Sequence, residues 1–503
     1  RRVRLTLLTI KEKKRSPLCR KPQGVCDPCF FRTYVSQTPF ISKNSGNTVG
    51  FRYFSGAGGF ARPPVHREPV ALSGLLPTAF FIGRACPRLD SPGFPGYNGH
   101  TMKGAVAVSD FLKRTWAEID LDALQDNYRA IASSLTGNSR VMAVVKADAY
   151  GHGAGQTART LREAGATWFG VSNLDEAMQI RSAGITEPIL IFAYTPPSEA
   201  ANLARLGISQ TVLNGEYATE LDEAAAAAGV TVRIHVKIDT GMSRVGLPYH
   251  SERQDRAVLR EIERIYALPH LVGEGAFTHF ASADEEDDGG YTRLQFSRFM
   301  EALSLLEQRG VAFPLRHCCN SAGLMRYPDM HLDLVRPGII LYGLAPAAWM
   351  QGMLPLRPAM ELKTVVSMVK SVPAGTPVSY GRTFTAAKDM RLATVPVGYA
   401  DGYARVLSNR AYMLLCGKRA PVVGRVCMDQ CMLDVTAIPE AREGMTVTAF
   451  GKDGGAVLPV ETLAELGGTI HYETICLIGK RVPRVFRQNG EIAGRLNYIL
   501  PER

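Results

Sequence analysis

Residues 141–184 read VMAVVKADAYGHGAGQTARTLREAGATWFGVSNLDEAMQIRSAG, and their rhythm decides the fold. A β-branched run at 141–145 is followed by a helix-patterned stretch at 156–164 that stops at Gly165. A second run at 168–171 is followed by a helical pattern at 174–183 that stops at Gly184. Leu174, Ala177, Met178 and Arg181 show the 3–4 residue spacing of one helix face, with a mixed polar face opposite. The same unit then repeats downstream. Strand-like runs stand at 189–193, 210–213, 232–238, 275–280, 315–319 and 332–335, with helical patterns at 198–206, 216–228, 254–267 and 292–309. Gly207, Gly229 and Gly310 follow three of these helices, where a C-terminal cap favours positive φ. Eight β–α alternations predict an α/β chain built on a (β/α)8 TIM barrel. An open doubly wound sheet is the alternative. Its nucleotide-binding form lacks support, because no GxGxxG or P-loop follows a strand.

After about residue 356 the texture changes. Gly, Pro and Val rise, and runs at 364–372, 392–397, 412–415 and 421–428 are separated by turn signals such as Pro373-Ala374-Gly375. This predicts a β-rich C-terminal domain over 356–503, with a short helix at 460–466. The barrel with its leading segment is then expected over 102–355.

Residues 1–101 differ from both. Of the 503 residues in the chain, this segment holds 16 Lys+Arg against 4 Asp+Glu, with 11 of the 30 prolines and none of the 16 methionines. The remainder carries 42 basic and 43 acidic residues, so the overall charge of +11 arises from the first segment. The body therefore has no basic footprint for nucleic acid. The density of Gly, Pro and Arg predicts a disordered N-terminal extension. Its simplest reading is a translated upstream region, with Met102 as the natural start; an organelle transit peptide is the alternative. No apolar run reaches the ~18–20 residues of a membrane span, since 72–83 is short and broken by Pro77. Cys26 and Cys29 form a CxxC without a second pair at zinc spacing, so no metal site is expected. Cys318, Cys319, Cys416, Cys427, Cys431 and Cys476 sit in apolar, strand-like surroundings, as buried thiols of a reducing compartment do. A cytoplasmic location follows as an expectation.

In a barrel, functional groups gather just past the strand C-termini. The first run ends at Lys146, within AVVKADAYGHG. A lysine there is either a rim residue with its amine in water or a partly desolvated amine able to form a Schiff base. The fifth run leads into KIDTGMSRVG, with Lys237 and Arg244, and the sixth holds His279. The seventh gives Asn320 and Ser321; the eighth gives Arg336, Gly338 and Ile339. Helix N-termini and glycine turns after late strands suit a phosphate. A lysine, two arginines, a histidine and a phosphate cradle on one rim describe a phosphorylated aldehyde cofactor, pyridoxal 5′-phosphate (PLP).

With these residues in place, the chain resembles the alanine racemase family. The motifs AVVKADAYGHG, KIDTGMSRVG, FTHFASADE, CNSAG, VRPGIILYGL, VSYGRTF, VPVGYADG, APVVGRVCMDQ and YETICLIGKRVPR stand in the family's order across about 110–490. The resemblance implies a PLP-dependent enzyme interconverting L- and D-alanine, supplying D-alanine for peptidoglycan, and acting as a head-to-tail homodimer with shared active sites. It implies that Lys146 is the Schiff-base lysine and one of two bases, with Tyr399 of VPVGYADG as the opposing base reaching the other subunit. Two bases on opposite faces suit a reaction that removes a proton from one side and returns it on the other. By the same resemblance Arg336 faces the pyridine nitrogen and His279 holds that arginine. Arg244 contacts the phenolic oxygen and the substrate. Tyr150, Ser321, Gly338, Ile339 and Tyr472 form the phosphate site. Met428 meets the substrate carboxylate from the partner, Asp429 lies beside it, and Lys237 matches a lysine carbamylated in many relatives. Asp148 stands where the family often has Asn. A broader or serine-type racemase is the alternative, and a PLP-homeostasis protein is a further one that generally lacks a second domain.

Overall fold

The computed structural model describes residues 112–500. The N-terminal extension, its CxxC and Met102 lie outside the described residues. Eight parallel strands form one curved sheet in the order Leu334–Val335, Arg140–Val144, Trp168–Val171, Ile189–Ile191, Ile208–Val212, Val232–Asp239, Leu271–Phe277 and Leu315–His317. The two ends of this path meet. Asp333 N–H donates to Arg316 O at 3.1 Å, and Arg336 N–H donates to Cys319 O at 2.9 Å, so the barrel is nearly closed.

Helices Ala154–Glu163, Leu174–Ser182, Ala200–Arg205, Gly215–Ala228, Glu252–Tyr266, Tyr291–Glu307 and Ser321–Arg326 return between successive strands. Three of the seven start on a side-chain cap: Asn173, Asn214 and Asn320 each accept the N–H three residues on, whereas the other four have none. Such a cap satisfies a donor that the first helical turn leaves free. All five glycines expected at helix ends adopt positive φ. After the eighth strand only short 3₁₀ turns precede the second sheet, and no α-helix returns. Its place is taken by Leu121–Ser133, which precedes the first barrel strand and packs on both Ala154–Glu163 and the 3₁₀ turn Ile339–Tyr342. Asn127 locks it there by donating to Leu341 O and Arg357 O at 3.1 and 2.9 Å.

The apolar side chains of the strands divide by pleat. Ala143, Phe169 and Ile191 join the large core shared with the helices, while Met142, Trp168, Leu190, Leu315 and Leu334 form a small cluster inside the barrel. With the interior filled, a site in the barrel is expected past the strand C-termini.

The second sheet is antiparallel except at one junction. It runs Met368–Val372, Met390–Val395, Cys431–Asp434, Lys418–Val423, Tyr412–Leu415, Thr446–Asp453, Met360–Val365, Thr115–Asp120, Arg484–Gln488, Glu491–Leu496. The run read as 364–372 is two strands, because Val366 and Ser367 turn away to bond Met445 and Thr394. The run read as 421–428 ends at Val423, where Gly424 takes φ 76°. Thr115–Asp120 comes from the leading segment and pairs parallel with Arg484–Gln488. Both ends of the described chain thus lie in one sheet beside the barrel. Among the described residues no helix is long and apolar enough to cross a membrane.

Candidate active site

A cavity of about 290 Å³ opens at the C-terminal ends of the barrel strands. Lys146 enters it from the first strand, on a backbone the sequence did not announce. Ala147, Asp148, Ala149 and Tyr150 all have φ between 52° and 55°, one turn of left-handed helix built without glycine. Left-handed backbone costs roughly 1–2 kcal/mol per L-residue, so outside contacts must hold it. Glu176 supplies one, accepting Ala147 N–H and Ser172 N–H, both at 2.7 Å. Asp148 supplies another by accepting Ala154 N–H at 2.8 Å. Burial and the nearby Arg244 lower the pKa of the Lys146 amine, and Glu176 and Cys476 oppose them. The amine is more readily deprotonated than that of a free lysine.

Arg336 leaves the last strand fully engaged. Its guanidinium donates to Thr278 O at 2.8 Å, Cys318 O at 2.9 Å, His279 Nδ1 at 3.2 Å and His317 Nδ1 at 2.7 Å. Burial draws its pKa down to about 10, so it remains charged at neutral pH. Burial and the Arg336 charge push His279 and His317 well below the usual histidine range, leaving both neutral acceptors. The chain continues inward: His317 Nε2 lies 2.9 Å from His235 Nδ1, and His235 Nε2 lies 3.2 Å from Glu274. Arginine can only donate and a carboxylate can only accept, so each imidazole carries its proton on Nε2. His235, His317 and Glu274 were not singled out from the sequence. The available signal was their position on the inward face of strands otherwise filled with apolar residues.

The side of the cavity at the seventh and eighth strand ends is made by backbone turns. Ser321 Oγ accepts Gly338 N–H at 2.8 Å, joining the seventh and eighth strand ends. A Cβ on Gly338 would lie 2.4 Å from Tyr150 Oη, so this approach requires glycine. Ile339 begins the next turn, and the Tyr150 and Tyr472 ring centroids are 6.4 Å apart. Burial raises both phenols, which stay protonated as donors. Asp239 accepts the N–H groups of Gly241, Met242 and Ser243 at 2.9–3.1 Å and shapes the turn that carries Arg244. The donor set fits PLP: an amine for its aldehyde, phenols and turn N–H groups for its phosphate, and arginines for its ring oxygen and nitrogen. Among the described residues no group of three or more metal-type side chains is gathered.

Lys237 is buried against Phe277 and its amine donates to Ile238 O at 3.2 Å. Burial lowers its pKa from 10.5 to about 7. Between those values the unfolded chain holds a proton that the folded chain has released. Stability therefore rises with pH across about 7 to 10.5 in CO2-free buffer, with this group contributing at most ~1.4 kcal/mol per pH unit. Chemical denaturation of the parent and Lys237→Met across that window checks this; equal slopes in the two proteins overturn it.

Tyr399, Met428 and Asp429 stand elsewhere. They do not line the Lys146 cavity. Tyr399 N–H and Ala400 N–H donate to Cys427 O and Met428 O, both at 3.1 Å, which fixes these turns together. Asp429 pairs with Arg481 at 2.5 Å, and Arg481 also grips the fully buried Asp401 at 2.8 Å. Met428 and Asp429 line a separate hollow of about 530 Å³. Tyr380 lines the same hollow, whereas Tyr399 does not. The Tyr380 side chain is 72% exposed, against 42% for Tyr399. It sits on a strained turn in which Ser379, Gly381 and Arg382 have φ of 67°, 69° and 50°. An exposed aromatic held on strained backbone is an outlier that makes Tyr380 a candidate for a functional role. The available signal was the motif VSYGRTF, whose tyrosine is Tyr380.

Residues 119–346 match the family described as alanine racemase, N-terminal domain, and residues 359–486 match alanine racemase, C-terminal domain. The alanine racemase of Desulfovibrio desulfuricans is 47% identical over 376 residues, covering 75% of this chain and 99% of that protein. That of Methanococcus maripaludis is 44% identical, covering 74% and 98%. Among solved structures, alanine racemase from Bacillus anthracis with bound L-Ala-P aligns with a TM-score of 0.72 at 38% identity, covering 78% of this chain and 99% of that one. Matched in order through both of its halves, and over nearly the full length of these relatives, the chain belongs to the alanine racemase family.

Proposed function

We propose that the chain interconverts L- and D-alanine with PLP held at Lys146. The observation that carries this is a lysine amine of lowered pKa on the wall of a cavity that also holds an arginine charged at neutral pH and an anion cradle. Bound there, PLP supplies an electron sink that acidifies the α-C–H of an amino acid. Lys146 carries the cofactor and moves the proton on one face of Cα. Tyr150, Ser321, Gly338, Ile339 and Tyr472 hold the phosphate. Arg244 meets the phenolic oxygen and the substrate carboxylate. Arg336 faces the ring nitrogen; a donor that stays charged disfavours a proton there, and His279 orients it. A weaker electron sink limits side reactions such as transamination. The neutral amine of Lys237 supports its carbamylation, in which nitrogen bonds to CO2 and releases a proton.

The second base is a tyrosine on the Met428–Asp429 face, contributed by the partner subunit of a head-to-tail homodimer. The family resemblance gives this role to Tyr399. The exposure of Tyr380, its strained turn and its place in the hollow with Met428 and Asp429 favour Tyr380, with Tyr399 fixing the adjacent turn. The two family matches, over 119–346 and 359–486, support division of the chain at about 355 into a cofactor-binding barrel and a β-rich part bearing this face. The six described cysteines are free, Cys318, Cys319 and Cys431 buried as expected but Cys416 and Cys427 half-buried and Cys476 exposed, and free thiols support a reducing, cytoplasmic setting. Supply of D-alanine for peptidoglycan is the role the reading implies.

The test is L-alanine in D2O with PLP-loaded protein, following optical rotation and Cα deuterium together. Rotation decays to zero while deuterium enters at Cα. Loaded protein that produces neither change overturns the assignment and favours another amino acid or a non-catalytic PLP carrier.

A further inference from the structure

The left-handed turn that carries Lys146 is clamped by the end of the chain. The C-terminal hairpin Arg484–Gln488 and Glu491–Leu496 packs so closely on it that a Cβ at Gly153 would lie 3.1 Å from both Phe486 and Leu496. Arg484, fully buried, donates to Gly151 O at 2.8 Å while its other N–H groups hold Ile478, Gly479 and Val482 of the same region. Beyond the hairpin, Tyr498 lays its ring 5.2 Å from the Arg484 guanidinium and donates its O–H to Asp148 Oδ2. Asp148 is in the middle of the left-handed turn and accepts Ala154 N–H through its other oxygen.

We propose that Tyr498 is a positioning residue for the cofactor lysine, acting through Asp148 to hold the strained 147–150 turn and so keep Lys146 aimed into its cavity. This rests on the reading of Lys146 as the residue that binds PLP. The physical argument is one of balance. Four consecutive left-handed residues relax toward ordinary backbone unless their polar groups are held from outside. The Asp148 carboxylate is the one side chain within those four residues that reaches two outside donors, and Tyr498 is one of them. A hydrogen bond to a charged acceptor is among the stronger kinds, so losing it loosens PLP binding by about tenfold.

Tyr498→Phe keeps the ring over Arg484 and deletes only the O–H. The experiment titrates cofactor-stripped full-length protein with PLP, following its visible absorbance, and records the thermal midpoint of the stripped form. Tyr498→Phe is expected to weaken PLP binding about tenfold while that midpoint falls by no more than about 2 °C. In an Asp148→Ala background the same substitution should change affinity less than about twofold, because the partner is gone. Unchanged affinity, or the same loss in both backgrounds, overturns the proposal. A lowered midpoint with unchanged affinity also overturns it, in favour of a purely structural role. Lys146→Ala is run alongside: PLP still covalently held by that variant overturns the Lys146 reading, a result separable from failure of the tether.

Discussion

Lys146→Ala loses racemisation by at least about 10⁴-fold and no longer holds PLP covalently. Two losses combine. The variant has no amine for the aldehyde, and it has no base on one face of Cα. Nothing else in the cavity replaces both. Lys237 is the other lysine on its wall, but its amine is directed to Ile238 O and lies buried against Phe277. Tyr150 and Tyr472 are phenols pushed upward by burial and make poor bases near neutral pH. The protein remains folded, because the 147–150 turn is held through Glu176, Asp148 and Arg484 rather than through the Lys146 amine. Circular dichroism, the visible spectrum after gel filtration and the deuterium assay together check the result. Persistence of covalent PLP, or of more than a few per cent of turnover, overturns the role given to Lys146.

How far the sequence carried this reading differs by level. The β–α rhythm was legible because strand and helix impose different periods on apolar residues, and glycines mark where helices stop; the asparagine caps were not read. Ser321, Gly338 and Arg336 were legible because in a barrel the residues just past a strand share one rim. Three features were not. Thr115–Asp120 belongs to the second sheet, and a pairing with residues some 370 positions away leaves no local trace. The left-handed turn after Lys146 is built from Ala-Asp-Ala-Tyr, of which only Asp148 tolerates that backbone readily, and is held by Glu176 and Tyr498 with Arg484 bonding the next residue, Gly151. The pairing of Arg336 with His317 and His235 through the barrel interior depends on which way strand residues face. The tyrosines at 380 and 399 show the same limit: each lies in a family motif, and only exposure and surroundings separate them.

That separation predicts different outcomes for two substitutions that remove the same atom. Tyr380→Phe is expected to lower racemisation in both directions by about 10³-fold, within the range for loss of a positioned general acid or base. The residual chemistry has a direction. With Lys146 intact on one face, Cα hydrogen exchange in D2O persists for one alanine enantiomer and is lost for the other, because each base reaches only its own face. Tyr399→Phe, at a turn fixed by Cys427 O and Met428 O through backbone N–H groups that the substitution retains, is expected to cost less than about tenfold and to leave exchange symmetric. The opposite ranking returns the role of opposing base to Tyr399. The two arms of one site are also separable in space. Lys146 lies in the barrel cavity, and Tyr380 lies on a different hollow of the same chain. Mixed Lys146→Ala and Tyr380→Phe proteins, each inactive alone, then form hybrid dimers in which one site receives the intact lysine from one chain and the intact tyrosine from the other. About a quarter of parental activity is the ceiling, since random exchange makes half the dimers hybrid and each hybrid has one complete site. Absence of recovered activity after subunit exchange has been verified by mass overturns the shared site, because a tyrosine acting within its own chain is never restored by a partner.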